Sequence, residues 1–72
     1  MIRASDADAQ FECSVNEVGG KFQARWTAFV VAAEVGQSET DLRDFERKSD
    51  AWEWIYAEAA RRGFQRIMDA GP

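Results

Sequence analysis

Phe11-Glu12-Cys13-Ser14-Val15-Asn16-Glu17-Val18-Gly19-Gly20-Lys21-Phe22-Gln23-Ala24-Arg25-Trp26-Thr27-Ala28 is the stretch on which the fold turns. Phe11, Cys13 and Val15 alternate with Glu12, Ser14 and Asn16, the period of a half-buried strand. Gly19-Gly20 supplies two adjacent residues that tolerate positive φ, which is what a two-residue hairpin turn needs. Beyond it Phe22, Ala24, Trp26, Ala28 and Val30 share one face, and Lys21, Gln23, Arg25 and Thr27 the other. With Gly19-Gly20 as the loop, Val18 faces Lys21 and the whole register follows. Val15 meets Ala24, Cys13 meets Trp26 and Phe11 meets Ala28, all apolar pairs. Glu12–Thr27 and Ser14–Arg25 are polar. A slip of one residue would send every apolar side chain to the wrong face.

Outward from the hairpin the pattern weakens. Residues 1–9 are small and polar without a period and read as a flexible N-terminal tail, leaving 10–72 as a single α+β domain. The second strand is expected to run to about Val35, with a turn at Gly36-Gln37-Ser38 and a third strand from about Glu39 to Phe45. Ser49 reads as the N-cap of a helix with Asp50 in its first turn. Trp52, Ile55, Tyr56 and Ala59 recur at helical spacing as its buried stripe. Gly63 is placed as a left-handed residue just past the helix, with Phe64 folding back. Residues 64–70 fit either a helical turn or a short last strand. The expected architecture is an antiparallel sheet of three strands, four if that last segment extends, with one main helix packed on one face. Trp26 and Trp52 are expected to meet at its centre.

The chain has 72 residues, so its core is small. Twelve alanines and a single leucine, Leu42, stand against five Phe, three Trp and one Tyr, so aromatic rings must fill most of the interior. There is no His, and Cys13 is the one cysteine. That removes a disulfide framework, a Cys/His zinc site and any imidazole-assisted nucleophile. Catalysis and cofactors are not expected. Glu39 and Asp41, two apart on a strand, are too few oxygens for a metal site. No apolar run approaches a membrane span, and the expected location is the cytoplasm of a bacterial host cell.

Net charge is −4. Residues 1–42 carry seven acids against three bases, and residues 43–72 carry six of each. Proteins that bind phosphate backbones show the opposite balance, because counterion release supplies much of their affinity. An acidic surface suits solubility or a basic protein partner. Direct nucleic-acid binding would rest on Lys21, Arg25, Arg43, Arg47 and Lys48, with which Asp44, Glu46 and Asp50 interleave.

Candidate contact residues for a protein partner come from the aromatic surplus and from the acids. On a helical wheel Trp54 lies opposite the Trp52–Tyr56–Ala59 stripe, beside Glu58 and Arg61, and is expected to be exposed. Phe29 and Val31 fall on the outer sheet face and could carry a partner or, on the alternative reading of a small bacterial housekeeping domain, a homodimer. Glu34, Glu39 and Asp41 supply the acidic component.

The hairpin Val15-x-x-x-Gly19-Gly20-Lys21-Phe22-x-Ala24-Arg25, then Arg43-Asp44-Phe45 and a helix carrying Trp52 and Trp54-Ile55, resembles small sheet-plus-helix anti-CRISPR proteins of phages and mobile elements, type I inhibitors among them. The resemblance spans about residues 11–56. It implies an inhibitor that docks on a CRISPR effector and blocks its nucleic-acid binding. Asn16 and Thr27 stand where that family's aromatic and acidic contact residues would be expected, so no binding residue is carried over. The order of three strands and a helix is also faintly similar to double-stranded-RNA-binding and integrase arm-binding domains. Ser49-Asp50-Ala51-Trp52-Glu53 replaces the lysines with which the former open their last helix.

Overall fold

The computed structural model describes residues 2–6, 8–30 and 37–69, and only the backbone of Gln37, Met68 and Asp69. Strands β1 (Ala9–Val18) and β2 (Lys21–Val30) form the hairpin, β3 (Gln37–Phe45) follows, then helix α1 (Lys48–Arg61) and the short β4 (Met68–Asp69). The sheet order is β3-β2-β1-β4, and the fold class is α+β.

The hairpin register is the one its turn imposes. Val18 pairs with Lys21, Val15 with Ala24, Cys13 with Trp26 and Phe11 with Ala28. Gly19 and Gly20 take φ of 61° and 80°, so both central positions are left-handed, as this turn type requires. One expectation about the next strand changes. Gln37 and Ser38 already pair with Val30 and Phe29, so they belong to β3 and not to a turn. The described part of β2 ends at Val30, and the expected extension over 31–35, Gly36 included, lies outside the described residues. β3 itself keeps an unbroken antiparallel register from Gln37 to Phe45, with no bulge.

The helix starts earlier than expected. Arg47, extended at φ −126° and ψ 140°, is the N-cap and makes no side-chain cap hydrogen bond, so Ser49 sits inside the first turn. Its far end follows the expected geometry. Gly63 (φ 81°) is left-handed, its N–H donates to Ala60 O, and the Phe64 N–H donates to Ala59 O. Those are the two bonds of a Schellman ending. Phe64 then lies 5.5 Å from Phe11, ring to ring. The chain continues into β4, which pairs parallel to β1 at Glu12 and Cys13. The fourth strand exists, but it does not complete an antiparallel sheet.

The core lies between α1 and the inner face of β1 and β2. Phe11, Cys13, Ala24, Trp26 and Ala28 come from the sheet, and Ala51, Ile55 and Ala59 from the helix. Phe11 stacks on Trp26 at 5.5 Å with their planes 14° apart. Two large rings on the sheet leave room above them for Ile55 flanked by small residues, so the helix turns Ala51, Ile55 and Ala59 inward. This rotates α1 away from the expected stripe. Trp52 is half-buried at the flank, and Tyr56 is 57% exposed. Trp26 meets Phe11 and Arg62, while the ring partner of Trp52 is Tyr56.

The tail reading of residues 1–9 also changes. Ile2 is 5% exposed and belongs to the core, and the Ala4 N–H donates to Arg62 O at 2.7 Å. Arg3 and Asp6 close a local turn, with the Arg3 N–H on Asp6 Oδ2. Asp8 takes the left-handed conformation (φ 58°) that leads into β1. Ile2 docks the segment onto the core, and Ala9 packs against the same cluster. Among the described residues no helix is long and apolar enough to cross a membrane.

Candidate functional site

The residues expected to contact a partner separate into three groups. Trp54 is half-buried: it packs on the core and tilts against Phe45, with ring centroids 5.6 Å apart. The expectation of an exposed Trp54 is overturned by the rotation of α1. With Ala51, Ile55 and Ala59 along the seam, Trp54 and Trp52 become the two shoulders of the helix. Glu58 faces the same seam, its side chain only 16% exposed, and binds Arg62 through Oε2 at 2.8 Å and Arg61 through Oε1 at 3.3 Å. Arg61 is exposed, and Glu58 is its ion-pair partner.

A second group forms a buried polar knot. Arg62, the residue after the helix, is 8% exposed and lies 4.2 Å over the Trp26 ring. Its Nη1 donates to both the carboxylate and the main-chain carbonyl of Glu58, and its Nη2 reaches Glu39 Oε2 at 3.4 Å. Glu39 Oε1 in turn accepts the Ile2 N–H. One guanidinium thereby ties the first residues of the chain, β2, β3 and the end of α1. The Ile2 N–H holds the Glu39 carboxyl below the usual glutamate range, and the Arg62 guanidinium adds to this against an opposing effect of burial. Among the described residues no acceptor meets the Trp26 Nε1–H or the Arg62 Nε–H. As the C-cap residue of α1, Arg62 places a positive charge that complements the helix dipole. Its central position depends on Trp26 and Glu39, which are distant in the chain.

The third group remains on the surface. Asp41 is exposed, and its Oδ1 accepts the Leu42 N–H at 2.8 Å. Phe29 is half-buried on the outer sheet face between Gln10 and Ser38. Val31 and Glu34 lie outside the described residues.

The basic residues do not assemble into one face. Lys21 pairs with Glu46 at 3.6 Å, and Arg43 lies 5.5 Å from the Phe45 ring centre. Arg47 and Lys48 are exposed at the helix start, and Arg25 stands on the outer sheet face between Ser14 and Leu42. Acids are interspersed with them: Glu46 beside Lys21, Asp44 and Asp50 around Arg43, Arg47 and Lys48, and Glu12 and Asp44 one same-face pair away from Arg25 in the register.

What sequence reasoning missed is the other shoulder of α1. Trp52 and Tyr56 lie 6.0 Å apart, tilted by 34°, and their exposed neighbours one turn around are Ser49, Glu53 and Ala60. The signal was present in the alanines: Ala51, Ile55 and Ala59 are spaced by four, a narrow small-residue seam that competes with the larger Trp52–Tyr56 stripe. The surplus aromatic surface is thus Tyr56 with Trp52, not Trp54.

Fold and surface together define a small α+β domain with an aromatic, acid-flanked helix shoulder. No family model matches the chain, and no curated protein or solved structure matches it.

Proposed function

We propose that this chain is a non-catalytic protein-interaction domain that docks through Tyr56, Trp52 and Glu53 on the outer shoulder of α1. The observation that carries this reading is Tyr56: a large ring, 57% exposed, braced at 6.0 Å by a second aromatic side chain. Trp and Tyr dominate interface hot spots because they bury much area while losing little side-chain entropy. The net charge of −4 directs the domain toward a basic partner and speeds encounter with it. A nucleic-acid-binding surface is such a partner. The resemblance to anti-CRISPR inhibitors supplies the specific form of the proposal: the domain occupies the DNA-binding surface of a bacterial CRISPR effector.

The test uses a purified type I effector complex with labelled target DNA. Adding the domain should produce a stable complex and abolish the DNA mobility shift, and Tyr56→Ala should lower that inhibition while leaving the circular-dichroism melt unchanged. Neither association nor loss of DNA binding would remove the effector as partner. Full inhibition by Tyr56→Ala would move the contact elsewhere.

A further inference from the structure

The outer edge of β3 supplies a second surface, independent of the helix shoulder. Among the described residues β3 pairs only with β2, although it is nine residues long and regular. The closing pair of a two-residue hairpin is hydrogen-bonded, so Lys21, Arg25 and Thr27 aim their main-chain groups at β1. Trp26 and its even-numbered neighbours therefore serve β3, in agreement with the Thr40 hydroxyl donating to Trp26 O at 2.8 Å. By the same alternation, the main-chain groups of Ser38, Thr40, Leu42 and Asp44 point away from the sheet. The Leu42 N–H is taken up by its neighbour's carboxylate, Asp41 Oδ1. Leu42 itself is 53% exposed, the sole leucine of the chain, at the middle of an otherwise polar edge.

Unpaired edges of this length invite another strand, and the charges on this one select its occupant. Across a twofold axis an antiparallel copy can meet β3 only where outward-facing residues oppose each other. Two such registers place Arg43 against an acid. In one, Arg43 faces Glu39, but Asp41 then faces Asp41, and Glu39 is already held by Arg62 and Ile2. In the other, Leu42 faces Leu42 on the axis, Asp41 faces Arg43 twice, Thr40 faces Asp44 twice, and no like charges are opposed. We propose that β3 pairs in this second register with β3 of a second copy of the chain, joining two sheets into one of eight strands. Asp41 then leaves the Leu42 N–H for Arg43 of the second copy, and that N–H bonds across the axis. The interface is isologous, so it closes at a dimer and cannot extend into fibres.

Sedimentation equilibrium of the full chain, from micromolar to near-millimolar concentration, should show a monomer–dimer equilibrium. Asp41→Arg should weaken dimerisation by about tenfold or more, because each of two ion pairs becomes a repulsion. Asp41→Arg combined with Arg43→Asp should restore it, an outcome that loss of folding cannot mimic. Leu42→Cys places two thiols on the axis with Cα atoms about 5.5 Å apart, within disulfide range, so mild oxidation should crosslink it. Thr40→Cys should not crosslink, and Cys13, buried in the core, does not compete. A monomer throughout the range, a dimer insensitive to Asp41→Arg, or crosslinking at Thr40→Cys in preference to Leu42→Cys would each overturn the proposal. Crosslinking through Phe29→Cys would put the second copy on the outer face instead. None of these outcomes bears on the helix shoulder, whose test reads effector binding through Tyr56.

Discussion

The helix-facing side of the sheet divides into a covered part and a bare part. On β1 and β2 it carries Phe11, Cys13, Ala24, Trp26 and Ala28, all buried beneath α1. One strand further, the residues in register with Ala28, Trp26 and Ala24 are Glu39, Asp41 and Arg43. Only Glu39 is drawn inward, by Arg62 and the Ile2 N–H, and the other two are exposed. The same pleat and the same ladder thus continue across a change from apolar to charged side chains. Hydrogen bonding extends a sheet regardless of side-chain chemistry, whereas a helix settles where apolar area is to be buried. A small domain with one helix and two central strands of apolar residues leaves the middle of its third strand, Asp41 to Arg43, open.

Substitutions should separate the two parts sharply. Ile55 is fully buried at the centre of the covered part, so Ile55→Ala should cost about 4 kcal/mol, most of the stability expected for a domain this small. Urea unfolding would measure it, and a cost under about 1 kcal/mol would mean that the seam is not the core. At the boundary, Arg62→Ala strips Glu58 and Glu39 of their shared cation and uncovers Trp26, and should cost about 3 kcal/mol. Trp54→Ala, which an exposed Trp54 would tolerate, should cost about 2 kcal/mol, because the ring packs against Phe45 and the core.

Acid should act through the same boundary. The Glu39 carboxyl titrates lower in the folded chain than in the unfolded one, chiefly because of the Ile2 N–H. Its contribution is therefore present in full above the ordinary glutamate value and disappears as pH falls through the lowered folded value. Melting temperatures measured from neutral pH downward should decline through that window, and the decline should be shallower in Glu39→Gln. An equal decline in the variant would assign the acid sensitivity to other carboxyls. Least affected should be the bare part: Leu42→Thr, measured in dilute solution, should change stability by less than about 0.5 kcal/mol.

How much of this is legible in the chain depends on how local the deciding interactions are. The hairpin is decided by Gly19-Gly20 and by pairs no more than about twenty residues apart, so its register can be read residue by residue. The helix ending at Gly63 is equally local, since a left-handed residue and the following Phe64 satisfy carbonyls only a turn behind them. The helix start was misplaced by a residue or two because Ser49 looks like a cap whereas the geometry uses Arg47. At the candidate site the reading inverted. By size, Trp52 and Tyr56 appear to be the buried stripe and Trp54 the surplus. The stacked Phe11 and Trp26 take the volume that Trp52 and Tyr56 would have filled, and Ile55 between two alanines is what approaches them.

Sequence alone determined that the chain makes a tight hairpin in one register, ends its helix at Gly63, and carries no histidine and no second cysteine with which to build imidazole or disulfide chemistry. Tertiary structure decided which face of α1 is buried, that Ile2 belongs to the core, that Arg62 holds four segments together, and that β3 presents its edge. The reason lies in range. Turn conformation and strand alternation follow from steric preferences of neighbouring residues. The rotation of a helix about its axis follows from the volume left by side chains on other elements, and no local pattern records that volume.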